Sequence, residues 1–215
     1  MSKKIYISPS SQTENLYATG NTNEAVQCRK IASACSDFLT KAGFTVKVGN
    51  SGDMYKRVAD SNTFGADIHL CIHTNATATH NVTGGTQVYA YKLDGDRKKC
   101  VEGVFNQLAP LTVGTSAEKI LAKPEFYEVK KADGMTIYVE AEFHDTRTGS
   151  DFIIKHTTEI GEAIAKGICD YYKVAYPKAT ELYRVQVGAF SNKANADTLL
   201  KQLKAKGFTG YITKS

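Results

Sequence analysis

The sequence predicts an α/β protein: a mostly parallel twisted sheet flanked by helices on both faces, followed by a small C-terminal β-α-β segment. Three observations carry that prediction. Strand-like and helix-like segments alternate along the first 175 residues. The helix-like segments place apolar residues three and four apart, and the strand-like ones are short apolar or alternating runs. Glycine, proline and serine mark the ends between them.

Each element follows from its own signals. Lys4 to Ser8 is a short apolar strand running into Pro9-Ser10-Ser11. Thr22 to Ala42 carries Ala25, Cys28, Ile31, Ala32, Cys35, Phe38 and Leu39 at helical spacing, and Gly43 stops it. Phe44 to Val48 alternates as a strand, Asp53 to Asn62 is a second helix, and Asp67 to His73 is the next strand. Thr86 to Tyr91 is a strand, Asp94 to Leu108 a helix, and 110–135 an irregular Lys/Glu-rich excursion. Thr136 to Phe143 is a late strand. Asp151 to Tyr172 is one long helix whose stripe is Phe152, Ile153, Ile160, Ala163, Ile164 and Ile168. The pattern breaks at Tyr176-Pro177, which divides the chain into a domain at 1–175, a linker at 176–181 and a tail at 182–215. In the tail, Tyr183 to Gly188 and Tyr211 to Thr213 read as strands around a helix at Asn192 to Lys206. A unit that short rarely folds alone.

Composition narrows the function. The chain has 215 residues, 27 Lys+Arg against 22 Asp+Glu, and 42% hydrophobic residues, which excludes bulk disorder. A net charge of +5 spread over the chain is a solvated surface rather than a nucleic-acid footprint. No run approaches the ~18 apolar residues of a membrane span. The start lacks the apolar core of about 7–15 residues that a secretory signal needs, so synthesis in the cytoplasm is expected. The five cysteines form no CxxC pair and read as buried reduced thiols. No G-x-S-x-G occurs, so a nucleophile-elbow esterase is unsupported.

In α/β sheets, chemistry gathers at the carboxyl ends of strands. Ser8-Pro9-Ser10-Ser11-Gln12, Asn23-Glu24, Ile72-His73-Thr74-Asn75-Ala76 and Val139-Glu140-Ala141-Glu142 lie there. One imidazole with carboxylates from a helix start and a strand end suits a zinc site with an open position. Taken singly, each residue has an ordinary structural explanation.

Together these motifs resemble the zinc-dependent N-acetylmuramoyl-L-alanine amidases of the amidase-3 type, found in autolysins and phage endolysins. The likeness covers residues 3 to about 173 and includes Arg57-x-x-x-x-Asn62 and Val139-Glu140-x-x-Phe143. It implies hydrolysis of the amide between N-acetylmuramic acid and L-alanine in peptidoglycan, with Glu24 and His73 as zinc ligands and Glu140 as general base and acid. The family's first ligand is a histidine in D-P-G-H-G-G, where this chain reads Ser8-Pro9-Ser10-Ser11-Gln12. Gln12 is the expected substitute, with His80 and His144 as alternatives; His69, four residues before His73 on one strand, lies too far away. Arg57, Asn75 and Glu142 are expected at the substrate, Glu142 standing where the family has glycine. The tail, from Tyr183-Arg184-Val185-Gln186-Val187-Gly188-Ala189-Phe190 to Gly207-Phe208, resembles the first repeat of a SPOR domain, a peptidoglycan-binding module. Gln186 and Phe190 occupy motif positions there. A half module implies truncation or pairing of two chains into a homodimer. A phage or prophage endolysin is the expected setting, and a wall-binding protein that has lost its metal is the alternative.

Overall fold

A computed structural model describes residues 2–49, 52–77, 84–177 and 185–213. It forms two compact units, Met1–Pro177 and Lys178–Ser215. The first contains strands β1 (Lys4–Pro9), β2 (Thr45–Val48), β3 (Ile68–Asn75), β4 (Gln87–Ala90), β5 (Lys119–Ala122) and β6 (Met135–Phe143). Its helices are α1 (Glu24–Lys41), α2 (Met54–Phe64), α3 (Gly95–Leu108), α4 (Tyr127–Lys131), α5 (Arg147–Lys155) and α6 (Thr157–Tyr172). The six strands form one sheet in the order β2-β1-β3-β6-β4-β5. All neighbours are parallel except β4 and β6, which run antiparallel.

Side-chain alternation divides the sheet into two chemically different faces. Ile5, Ile7, Ile68, Leu70, Ile72, Ile137, Val139 and Ala141 point into a core shared with α1, α3 and α6. The residues between them, Tyr6, Ser8, His69, Cys71, His73, Tyr138 and Glu140, lie on the opposite face, where α2 packs beside β1 and α4 beside β6. Caps set the helices that frame the site. The Asn23 side chain accepts the Val26 N–H at the start of α1, Asp53 accepts Lys56 N–H at α2, and Gly65 ends α2 in the left-handed region.

Three parts differ from the expectation. The 110–135 excursion contains β5, a mostly exposed edge strand without alternation, and α4, whose five residues hold little more than one turn. The long final helix is two helices meeting at His156. Its backbone (φ −121°, ψ 25°) leaves the helical region, its N–H closes α5 on Phe152, and its carbonyl accepts Ile160 N–H to open α6. The second unit, among its described residues, has one regular element, α7 (Lys193–Ala205), capped by Asn192. The expected strands around it do not form a ladder there: 185–190 and 208–213 are irregular. A strand needs a hydrogen-bonded neighbour, and with none Val185, Val187, Phe208 and Tyr211 stay exposed. Tyr183 and Arg184 lie outside the described residues.

Candidate active site and metal centre

The site is assembled where β1, β3 and β6 end. Ser10 N–H donates to Ile72 O at 2.9 Å, which lays the loop after β1 along β3. That loop then grips the first turn of α1. Gln12 O accepts Ala25 N–H (3.2 Å), Asn15 O accepts Glu24 N–H (3.0 Å), and Leu16 bridges to Asn23. These carbonyls satisfy N–H groups that a helix start leaves without intrahelical partners. Glu24 is thereby held, fully buried, against the end of β3. In the β3–β6 pairing His73 stands in register with Glu140.

Three of the expected ligands converge. His73 Nδ1 is 2.8 Å from Glu24 Oε1 and 3.5 Å from Gln12 Nε2. Asn15 Nδ2 donates to Glu24 Oε2 at 2.6 Å and to Gln12 Oε1 at 3.1 Å. Burial acts to raise the Glu24 pKa, but His73, Asn15 and Ser10 hold it below the ordinary carboxylate value. For His73 burial acts downward, and the neighbouring carboxylates, Glu24 foremost, reverse that and raise it. Glu140 is the opposite case. Burial pushes its pKa up to about 8, His73 pulling down and Glu24 adding to the rise. Tyr138 stacks on the His73 ring at 4.6 Å and packs against Phe126 at 5.2 Å, forming an aromatic wall beside these groups.

The residues fit a zinc ion. Tetrahedral zinc with bonds of about 2.0–2.1 Å sets its ligand atoms about 3.3 Å apart, and Glu24 Oε1 at 2.8 Å from His73 Nδ1 needs only a small opening to reach that spacing. Gln12 turns its amide nitrogen to Nδ1 and its carbonyl oxygen, the atom a metal takes, to Asn15 Nδ2, which leaves that oxygen a second lone pair. Glu140 Oε2 is buried without a hydrogen-bond partner among the described residues, the kind of unmet polar capacity a bound group satisfies, and so is His73 Nε2, the ring nitrogen turned away from the cluster at Nδ1. Gln12 is exposed, so the cluster opens to solvent on its side.

Other expected site residues go elsewhere. Arg57, expected at the substrate, is buried: its Nε donates to Ser8 Oγ (2.8 Å) and a terminal nitrogen donates to Gly52 O (2.7 Å). Glu142, also expected there, is wholly buried and accepts N–H bonds from Gly85 (2.9 Å) and Phe143 (2.7 Å). Its carboxylate is spent on backbone N–H groups. Asn75 is half-buried and donates to Gln87 Oε1 at 3.1 Å. His144 stands apart from the ligand cluster, its Nδ1 at 2.9 Å from Thr74 Oγ1 and its ring stacked on Tyr17 at 5.0 Å. His80 lies outside the described residues. Gln186 and Phe190 are exposed in the second unit.

Sequence reasoning missed one cluster. His69, Cys71 and Glu128 bring ligand-type atoms within 4.8 Å of one another, all buried. Glu128 comes from α4, accepts the Ser8 hydroxyl at 2.5 Å, and lies 3.2 Å from His69 Nε2. The signal available was the alternation His69-x-Cys71-x-His73, which puts all three side chains on one face. Arg57 reaches Ser8 and so sits one hydroxyl away from the Glu128 carboxylate. Burial, with Glu128 adding, pushes the Cys71 thiol well up, and His69 Nδ1 has no hydrogen-bond partner among the described residues.

Residues 5–170 match the family described as N-acetylmuramoyl-L-alanine amidase (Amidase_3), and residues 166–215 match the SPOR domain. The chain therefore belongs to the Amidase_3 family. It is 27% identical over 222 residues to the sporulation-specific N-acetylmuramoyl-L-alanine amidase of Bacillus subtilis (strain 168), covering 97% of this chain and 84% of that protein. Among solved structures it resembles Cwp6 from Clostridium difficile, with a TM-score of 0.69 at 20% identity over 80% of this chain and 29% of that one. It also resembles the catalytic domain of CD27L endolysin targeting Clostridia difficile, with a TM-score of 0.65 at 19% identity over 78% and 97% of the two chains. These structural likenesses concern the fold.

Proposed function

We propose that the chain is a zinc-dependent amidase that cleaves the bond between the lactyl group of N-acetylmuramic acid and the L-alanine of the peptidoglycan stem peptide. The observation that carries this reading is the convergence of Gln12, Glu24 and His73 at one ring nitrogen, with Glu140 in register beside it. Gln12, Glu24 and His73 would hold the ion. Bound zinc supplies Lewis-acid polarisation of the scissile carbonyl.

The remaining chemistry belongs to the chain's own groups. Glu140, in register with His73, takes a proton from water at Oε2 and returns it to the departing alanine amine. Its unpartnered oxygen is free for that exchange. Tyr138, against His73, limits how the imidazole turns and walls the site on that side. Asn75, half-buried at the end of β3, is the expected residue left beside the site to contact substrate.

In the second unit, Gln186 and Phe190 would contact peptidoglycan, and its exposed Val185, Val187, Phe208 and Tyr211 would pair two chains into a homodimer. The match to the SPOR family over residues 166–215 supports the peptidoglycan contact. The finer setting we propose is that of a phage or prophage endolysin, made in the cytoplasm and acting on the wall after release. A neighbour in fold is named an endolysin, although the sequence relative is named for sporulation. Lysis of intact cells on expression together with a holin would support it, and activity confined to spore cortex would overturn it.

The test of the activity is product analysis. Purified walls digested by the chain should gain free L-alanine amino termini in step with intact lactyl-bearing glycan. Glu140→Gln should lower that rate by about 10²–10⁴-fold and retain zinc. A wild type that binds walls and releases no amine, with Glu140→Gln indistinguishable from it, would mean a binding protein on an amidase fold.

A further inference from the structure

Glu24 offers two oxygens, and the structure gives them different partners. Oε1 faces His73 Nδ1 at 2.8 Å and accepts the Thr74 N–H at 3.4 Å, while Oε2 accepts Asn15 Nδ2 at 2.6 Å. The same Asn15 nitrogen donates to Gln12 Oε1 at 3.1 Å. An amide NH₂ has two hydrogens, one for each acceptor. We propose that Asn15 is the positioning residue of the cation site: a single neutral donor that ties the carboxylate and amide ligands to each other beside His73. This rests on the zinc reading above.

Three features suit Asn15 to the task. Its backbone is already fixed, because its carbonyl accepts Glu24 N–H at 3.0 Å and the next residue bridges to Asn23, so its short side chain starts in place. It is uncharged, so it orients Glu24 without opposing a cation or adding a second negative charge. It leaves Gln12 one free carbonyl lone pair, since an amide oxygen has two. Partners of this kind fix ligand orientation, and their loss weakens metal affinity by about 10–100-fold.

The experiment measures zinc affinity of the full chain by competition with a chromophoric chelator, alongside the thermal melt of the metal-free protein. Asn15→Leu fills the space without a donor, Asn15→Ala removes both, and Asn15→Ser keeps one hydrogen for one acceptor. Asn15→Leu and Asn15→Ala should bind zinc about 10–100-fold more weakly, with Asn15→Ser between them and wild type, while the metal-free melts agree within a few degrees. A residue that merely filled space would give wild-type affinity in Asn15→Leu, and that result overturns the proposal. So would an affinity loss that follows the melting temperature rather than the number of donated hydrogens. A wild type that takes up no zinc overturns the zinc reading together with this one, whereas zinc-binding wild type with an equal Asn15→Leu overturns this one alone.

Discussion

Glu140 and Glu142 stand two residues apart on β6, and their surroundings give them different work. Glu140 keeps an unpartnered oxygen beside His73, while Glu142 is consumed by backbone N–H groups. Burial raises the Glu142 pKa from 4.5 to about 7, the N–H bonds only partly opposing it. The folded chain therefore keeps a proton that the unfolded chain releases between those values. Its contribution to stability is full below about pH 4.5 and is lost as the pH rises through about 7, a change of about 3 kcal/mol. Urea midpoints from pH 4 to 8 should show Glu142→Gln gaining on wild type across that window, and a constant difference would contradict the assignment. That Glu24, His73 and Glu140 come together was legible in the sequence, because each stands at a strand end or helix start where such a sheet gathers its side chains. Arg57 and Glu142 were not, since sequence does not show that a charged residue is buried on backbone or on a distant hydroxyl. Glu128 meets Ser8 across 120 positions of chain, a pairing that no local pattern announces.

At the scale of elements, alternation and helical periodicity located β1, α1, β2, α2, β3, β4, α3 and β6, whose apolar faces are long enough to repeat. β5 went unseen because Lys119-Ile120-Leu121-Ala122 lies mostly exposed at the sheet edge and does not alternate, α4 because it holds little more than one turn, and the break at His156 because the apolar stripe continues through it. Helix packing depends on two glycines of α6. A Cβ at Gly161 would lie 2.5 Å from Ile31 O on α1, and one at Gly167 would lie 2.4 Å from the Val104 Cα on α3. Both neighbours are backbone, so a methyl group there pushes whole helices apart. Gly167→Ala should cost about 1–3 kcal/mol by chemical denaturation, and a neutral result would show that α3 and α6 are not so closely seated.

For the whole molecule, the first unit owns the buried core, while α7 buries none of its residues. A chain ending at Pro177 should therefore melt within a few degrees of the full chain and keep its rate on soluble muramoyl peptides, losing only affinity for walls. A large fall in melting temperature would show that the first unit depends on the second. If the tail pairs two copies, sedimentation of the full chain should give twice the 23.5 kDa chain mass and the shortened chain a monomer. A monomer in both cases would remove the homodimer. The tail's helix was readable from its leucine spacing, but whether its flanks find strand partners depends on a surface that its own residues do not specify. The most direct measurement is anomalous diffraction at the zinc edge from crystals grown with zinc and without chelator. A single peak at the meeting point of Gln12, Glu24 and His73 is the predicted result, and a peak among His69, Cys71 and Glu128, with none at the first position, would contradict it.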